Sequence, residues 1–319
     1  MGKGKRTDTK KLKRRNVELR PRDYHLLEGL FESRLMTLKH AAVLYFDGKA
    51  EAAKKRIQKL KAAGYIRERE RRVRERSILC FTQKGFDALR ENGVLDRYPR
   101  IGWHKLRKRA QVGSHTIAHE LAVMDVKAAF VQAIAAAAPA LSIVEFSTWP
   151  ALHRFQAYRP DGIAQAINPD GFIRIIERVE ADGVIKRFQH TLFLEVDKSS
   201  EVQEVLGTKA FCYRDYYRRG GLALRNGKLA AEFEKFPFRV LFVMKSRARL
   251  ENTARTLVAL RPPLRSQVWL TTLEDVVRDP LARIWITPNL ICDQISHSAV
   301  VNGPEGVSAR TLFDSTGKD

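Results

Sequence analysis

Residues 172–198 read FIRIIERVEADGVIKRFQHTLFLEVDK, directly after Pro169-Asp170-Gly171. The first half alternates apolar and polar residues up to Asp182-Gly183, the signature of a tight turn between antiparallel strands. The chain then returns as a strand over 190–197 that closes on Glu195-Val196-Asp197-Lys198. A strand's period of two puts Glu195 and Asp197 on one face and Leu192, Leu194 and Val196 on the other. A hairpin that brings Asp170 beside them gathers three carboxylates at one sheet edge. Like charges that close repel unless a cation sits between them, and a hard ion such as Mg²⁺ or Mn²⁺ prefers oxygen ligands. Asp170, Glu195 and Asp197 are therefore the expected metal ligands, in a constellation suited to metal-assisted phosphodiester cleavage. The plainer reading stays open, because Asp commonly caps turns and ends strands.

A second Pro-Asp-Gly, at Pro160-Asp161-Gly162, offers Asp161 as a reserve ligand. Asp170 is preferred because it leads straight into an alternating strand that can pair with the Glu195 strand. Upstream, a long helix from Ser114 puts His115, His119, Ala122, Val123, Val126 and Phe130 on one stripe, with Glu120 beside it. Two histidines four apart could bind a transition metal, but no third ligand follows at zinc spacing, which favours a structural or substrate-contacting role. A strand is expected over 142–149 and a loop over 150–169. Downstream, 199–217 reads as a helix carrying Lys209, Tyr213 and Tyr216 on one side, closed by Gly220-Gly221. Strands at 239–244, 267–271 and 283–287 and a helix at 250–260 complete this half, before a polar, Gly-rich tail from 296.

The other half of the chain is electrostatically different. Residues 1–113 hold 32 Lys+Arg against 13 Asp+Glu, a net +19, so only +3 of the chain's +22 lies in the remaining 206 residues. That asymmetry suits a polyanion such as double-stranded DNA. Residues 1–20 read as a disordered basic arm. From Pro21 come a helix carrying Leu26, Leu27, Leu30 and Phe31, a second over 38–46 capped by Thr37, and a third over 49–63 stopped by Gly64. The third helix turns Lys54, Lys55, Arg56, Lys59 and Lys61 outward. Strands at 65–69 and 77–81 flank Arg71, Arg72 and Arg74, and Thr82 caps a closing helix. The residues predicted to touch DNA are Lys54, Lys55, Arg56, Lys59, Arg71, Arg72 and Arg74, with arginines the better bidentate readers of guanine.

No apolar run approaches the roughly 18 residues of a spanning helix, and the basic N-terminus has no apolar segment behind it, so a cytoplasmic protein is expected. Cys80, Cys212 and Cys292 are odd in number and lack C-x-x-C spacing, which argues against a disulfide framework or a zinc knuckle.

Three helices, a basic-tipped hairpin and a closing helix resemble a winged helix-turn-helix, carried by Leu60-Lys-Ala-Ala-Gly-Tyr-Ile66 and Phe81-Thr-Gln-Lys-Gly85. The second half's αβββαβ order, with Pro169-Asp170 and Glu195-x-Asp197, resembles the restriction-endonuclease-like PD-(D/E)xK core. Together with the run from His115 to Asp125, Pro169-Asp-Gly-Phe172, Leu194-Glu-Val-Asp-Lys198 and Lys209-x-x-x-Tyr213, the chain resembles the replication-relaxation family of plasmid and mobile-element proteins, which is similar to nuclease-fold conjugative relaxases. The fold class expected is α+β or α/β: a basic arm (1–20), a winged helix-turn-helix (21–97), a basic linker (98–113), a nuclease-like domain (114–295) and a flexible tail (296–319).

The resemblance implies a metal-dependent endonuclease or nickase, with mobilisation or replication proteins as further partners. Asp197 stands where that superfamily carries lysine, so Lys209 is assigned the electrostatic role, Glu120 an outer acid role, and Tyr213 or Tyr216 the nucleophile of a relaxase variant. The same missing lysine leaves open a non-catalytic accessory factor or transcriptional regulator on a degenerate nuclease fold.

Overall fold

The computed structural model describes residues 17–69, 76–110, 112–148, 153–181, 183–198, 202–292 and 310–313. It is an α+β protein that divides into two compact units, residues 1–111 and 112–319.

The first unit runs α1 (Pro21–Ser33), β1 (Leu35–Thr37), α2 (Leu38–Tyr45), α3 (Ala50–Ala62), β2 (Ile66–Glu68), β3 (Ile78–Phe81), α4 (Gln83–Glu91) and α5 (Trp103–Ala110). Its three strands form an antiparallel sheet in the order β1-β3-β2. Local chemistry sets the boundaries. Thr37 Oγ1 accepts from His40 N at 3.2 Å and Thr82 Oγ1 from Gly85 N at 3.1 Å, satisfying helix-start donors that have no partner within the helix. At the end of α3, Gly64 takes φ +84°, so the chain can reverse and Tyr65 N can reach Leu60 O at 3.0 Å. Leu26, Leu30, Phe31, Ile57, Leu60 and Phe86 fill the core. The stretch expected as a basic linker contains α5, whose Trp103 ring lies 6.4 Å from Phe81 and 6.2 Å from Phe86.

In the second unit, α6 (Ser114–Ala136) and β4 (Leu141–Ser147) lead to a small hairpin, β5 (Phe155–Tyr158) with β6 (Ala164–Ile167). That hairpin occupies part of the expected 150–169 loop: Phe155, Ala157 and Ile167 bury one face while Gln156 and Tyr158 stay exposed. Then come β7 (Gly171–Ala181), β8 (Val184–Asp197), α7 (Gln203–Arg218), α8 (Gly221–Arg225), a 3-10 turn (Ala230–Lys235), β9 (Arg239–Met244), α9 (Arg247–Ala259), β10 (Val268–Thr272) and α10 (Leu273–Arg278).

The sheet order is β10-β9-β8-β7-β4: antiparallel from β4 through β8, parallel from β8 through β10. β8 starts six residues earlier than its apolar run suggests, because β7 pairs with it along its whole length from Gly171↔Leu194 to Ala181↔Val184. Both faces of the sheet are covered. Ile173, Leu192, Leu194 and Val243 pack with Val126 and Phe130 of α6, and Phe172, Phe193 and Phe242 pack with Tyr213 of α7 and Leu250 of α9. Double burial is why 192–196 and 240–244 read as near-continuous hydrophobic runs. Each such side chain contributes roughly 1.5–3 kcal/mol. The expected last strand shrinks to single bridges at Leu270↔Ile286 and Trp285↔Arg310. Residues 310–313, expected in a flexible tail, return to the domain, where Leu312 is buried against the α6 side of the sheet.

Candidate functional site

The pairing of β7 with β8 brings the two principal acids together. Gly171 lies opposite Leu194, so Asp170 stands across from Glu195, and Asp170 N donates to Leu194 O at 2.9 Å. Asp170 Oδ2 accepts from Val196 N at 2.8 Å, and its Oδ1 lies 2.9 Å from His119 Nε2 on α6. Glu195 is almost fully buried. Its Oε1 accepts from Tyr213 Oη at 2.6 Å and its Oε2 from Lys209 Nζ at 3.0 Å. Lys209 and Tyr213 are four apart on α7, which puts both on the face turned toward β8.

The field in this cluster is unbalanced. Burial first, and then the Asp170 charge, push the Glu195 carboxyl up to about 7 against the opposing pull of Lys209 and Tyr213. The hydrogen bond to Asp170 raises the His119 pKa against the cost of burial, with Glu120 adding to the rise and Lys209 opposing it. Tyr213 is driven well above the ordinary phenol range, chiefly by burial and then by the Glu195 charge.

Asp197 needs a correction. It shares the Glu195 face but sits two residues further along, roughly 7 Å at the rise of a strand, and its Oδ2 accepts from Arg249 Nε of α9 at 2.6 Å. The arginine neutralises it in a buried ion pair, so it does not join Asp170 and Glu195 in a three-acid cluster. Among the described residues no group of three or more His, Cys, Asp or Glu side chains is placed to hold a metal ion. Asp161 is not at the site: it is exposed in the β5–β6 turn, paired with Arg159 at 2.7 Å. Glu120 is half-buried on α6 and enters through its charge on His119. His115 is exposed, whereas His119 is half-buried on Asp170.

Both tyrosines considered as nucleophiles are buried. Tyr213 is wholly buried on Glu195, and Tyr216 is buried with its Oη 2.8 Å from His153 Nε2. Sequence reasoning missed Arg249 and undervalued His119. Arg249 lies 52 residues from its acid, a distance over which no spacing signal exists.

In the first unit Lys54, Lys55 and Lys59 are exposed along α3. Arg56 is not an outward reader. Its guanidinium forks onto Asp23 of α1, with Nε 2.9 Å from Oδ1 and Nη2 also bonded to Oδ2, and Nη2 donates to Glu18 O at 2.8 Å. Asp23 is 1% exposed, so this pair ties α3 to α1 from within. Lys61 likewise pairs with Glu68. Arg71, Arg72 and Arg74 lie outside the described residues.

Fold and site define the class: an α+β protein in which an Asp–His pair and a buried Glu–Lys–Tyr set meet where the antiparallel and parallel parts of a five-stranded sheet join. The chain belongs to the replication-relaxation family, whose model matches residues 27–231 and so takes in Asp170, Glu195, Lys209 and Tyr213. No curated protein and no solved structure matches it. Among the described residues no helix is long and apolar enough to cross a membrane.

Proposed function

We propose that this is a DNA-binding protein of a plasmid or mobile element that cleaves or nicks DNA with a divalent cation, at a site selected by its first unit. The observation that carries the reading is the register that sets Asp170 across from Glu195, with His119, Lys209 and Tyr213 converging on the two acids, and burial raising the Glu195 carboxyl. A buried acid still short of positive charge, next to a second acid in a half-open cluster, is the kind of perturbed group found at functional sites. The order α6, β4, β7, β8, α7, β9 supports a restriction-endonuclease-like core. Three helices, the β1-β3-β2 sheet and α4 support a winged helix, which would set α3 in the major groove of duplex DNA.

A donor set of two carboxylates, smaller than the three expected, still supports Mg²⁺ or Mn²⁺. Such ions are commonly held by one or two carboxylates, with substrate phosphate and water completing the shell, and each carboxylate oxygen has lone pairs beyond the bonds described. Asp170 and Glu195 would hold the ion, which would polarise the phosphate and lower the pKa of a bound water. The chain's own residues do the rest. Val196 N and His119 fix the orientation of Asp170, and Tyr213 fixes Glu195. Lys209, bonded to Glu195, would stabilise charge building on phosphate oxygens, the task of the lysine absent from the strand.

A second reading, a non-catalytic replication or mobilisation factor, is favoured by one observation: both oxygens of Asp170 and of Glu195 already have protein partners. Nicking of supercoiled plasmid in Mn²⁺ or Mg²⁺ separates the two. The nuclease reading expects activity in the wild type and its loss in Glu195→Ala and Lys209→Ala. Equal activity in wild type and Glu195→Ala ends it, and tight duplex binding without cleavage in either metal favours the accessory factor.

A further inference from the structure

Withdrawing Arg56 into the Asp23 pair changes which side chains on α3 can meet a ligand. Ala53, Ile57 and Leu60 are buried, and Glu51, Lys54, Lys55, Gln58 and Lys59 are the exposed polar residues. At about 100° per residue, Lys55 and Gln58 lie about 60° apart, opposite the buried stripe, and form the crest of the helix. Lys54 lies about 40° beyond Gln58 and Lys59 about 40° beyond Lys55, one on each flank. Beyond the first turn the exposed polar groups are thus two central ones bracketed by cations; Glu51 of the first turn lies in line with the crest, its carboxylate 3.8 Å from Lys54 Nζ.

We infer that Gln58 and Lys55 read base edges in the major groove of duplex DNA while Lys54 and Lys59 hold the phosphates on either side. The inference rests on the DNA-binding reading proposed above and assigns its sequence specificity. A helix about 10–12 Å across fits a groove about 12 Å wide. Of these exposed polar side chains, Gln58 alone carries both a donor and an acceptor on one planar group, the pattern that matches adenine N6 and N7. Lys55 can donate to guanine O6 and N7. Lys54 and Lys59, as point charges off the crest, supply affinity that does not depend on sequence. Arg56, the residue that composition alone would pick for guanine, stays on Asp23.

The test uses the full chain. Duplexes are enriched from a random library, and dissociation constants are measured on the selected duplex and on each single-base-pair variant, for wild type, Gln58→Ala and Lys59→Ala. Gln58→Ala should lose about 5- to 150-fold discrimination at one A·T pair and leave non-specific affinity and its salt dependence unchanged. Lys59→Ala should weaken binding to all sequences alike and reduce the salt slope by about 1. Because Gln58 is exposed and Ala favours helix, the variant keeps its fold, which a thermal melt verifies. Wild-type discrimination at every position in Gln58→Ala overturns the inference. A wild-type chain with no affinity for duplex DNA overturns the DNA-binding proposal itself, so the two failures are distinguishable.

Discussion

Replacing Glu195 with Gln should stabilise the second unit at alkaline pH and remove a pH dependence that the wild type carries. The ordinary carboxyl value is 4.5 and burial lifts the folded one to about 7. A raised carboxyl binds its proton more tightly in the folded state, so between those two values unfolding releases protons and stability falls as pH rises. Below 4.5 both states are protonated and there is no penalty; above 7 the penalty is complete. The difference, 7 − 4.5, converts at about 1.4 kcal/mol per unit to roughly 3 kcal/mol. For a unit of this size that is roughly 6–12 °C in Tm. Melts followed through the buried Trp285 at pH 5 and pH 8 should show the gap between Glu195→Gln and wild type widening by about that much. Adding Mn²⁺ at pH 8 should raise the wild-type Tm and leave the variant unmoved, since an ion that binds only the folded state stabilises it. A gap that is constant or shrinks between pH 5 and 8 would refute the account of how Glu195 is charged.

Arg56→Ala should destabilise the first unit by about 3–5 kcal/mol, because it strands the buried Asp23 carboxylate; Lys55→Ala, exposed on the same helix, should change denaturant midpoints by less than about 0.5 kcal/mol. At pH 8, where Glu195 is ionised, Tyr213→Phe removes a donor to a charged group and should cost about 1.5–3 kcal/mol. Denaturing gels of reactions with end-labelled DNA should reveal no protein–DNA adduct in wild type; an adduct that vanishes in Tyr213→Phe would restore the tyrosine as nucleophile.

The hairpin of residues 171–197 was legible because alternation, a Gly turn and pairing are local signals, and the register that sets Asp170 against Glu195 follows from them. Lys209 was legible through its spacing of four from Tyr213. The Asp197–Arg249 and Arg56–Asp23 pairs were not, since each joins residues 52 and 33 positions apart. An arginine on an otherwise basic helix face looks like its neighbours until the opposing helix is in place. The β5–β6 hairpin was hidden by strands of only four residues, too short for a period to emerge beside Pro and Gly.

Strand β8 belongs to two structures of very different reach along the chain. Its pairing with β7 closes a local ribbon, an event of microseconds, whereas its pairing with β9 must wait for the α7 crossover, from Asp197 to Arg239, to be gathered in. On sequence separation alone, Asp170 and Glu195 are expected to come face to face before α7 docks with Lys209 and α9 with Arg249. In this order the two acids would meet first in water, where their repulsion is weak, and Lys209 would reach Glu195 with the burial that makes it costly. The step at which a charged Glu195 costs most is therefore its burial under α7, and acidic buffer would ease that step.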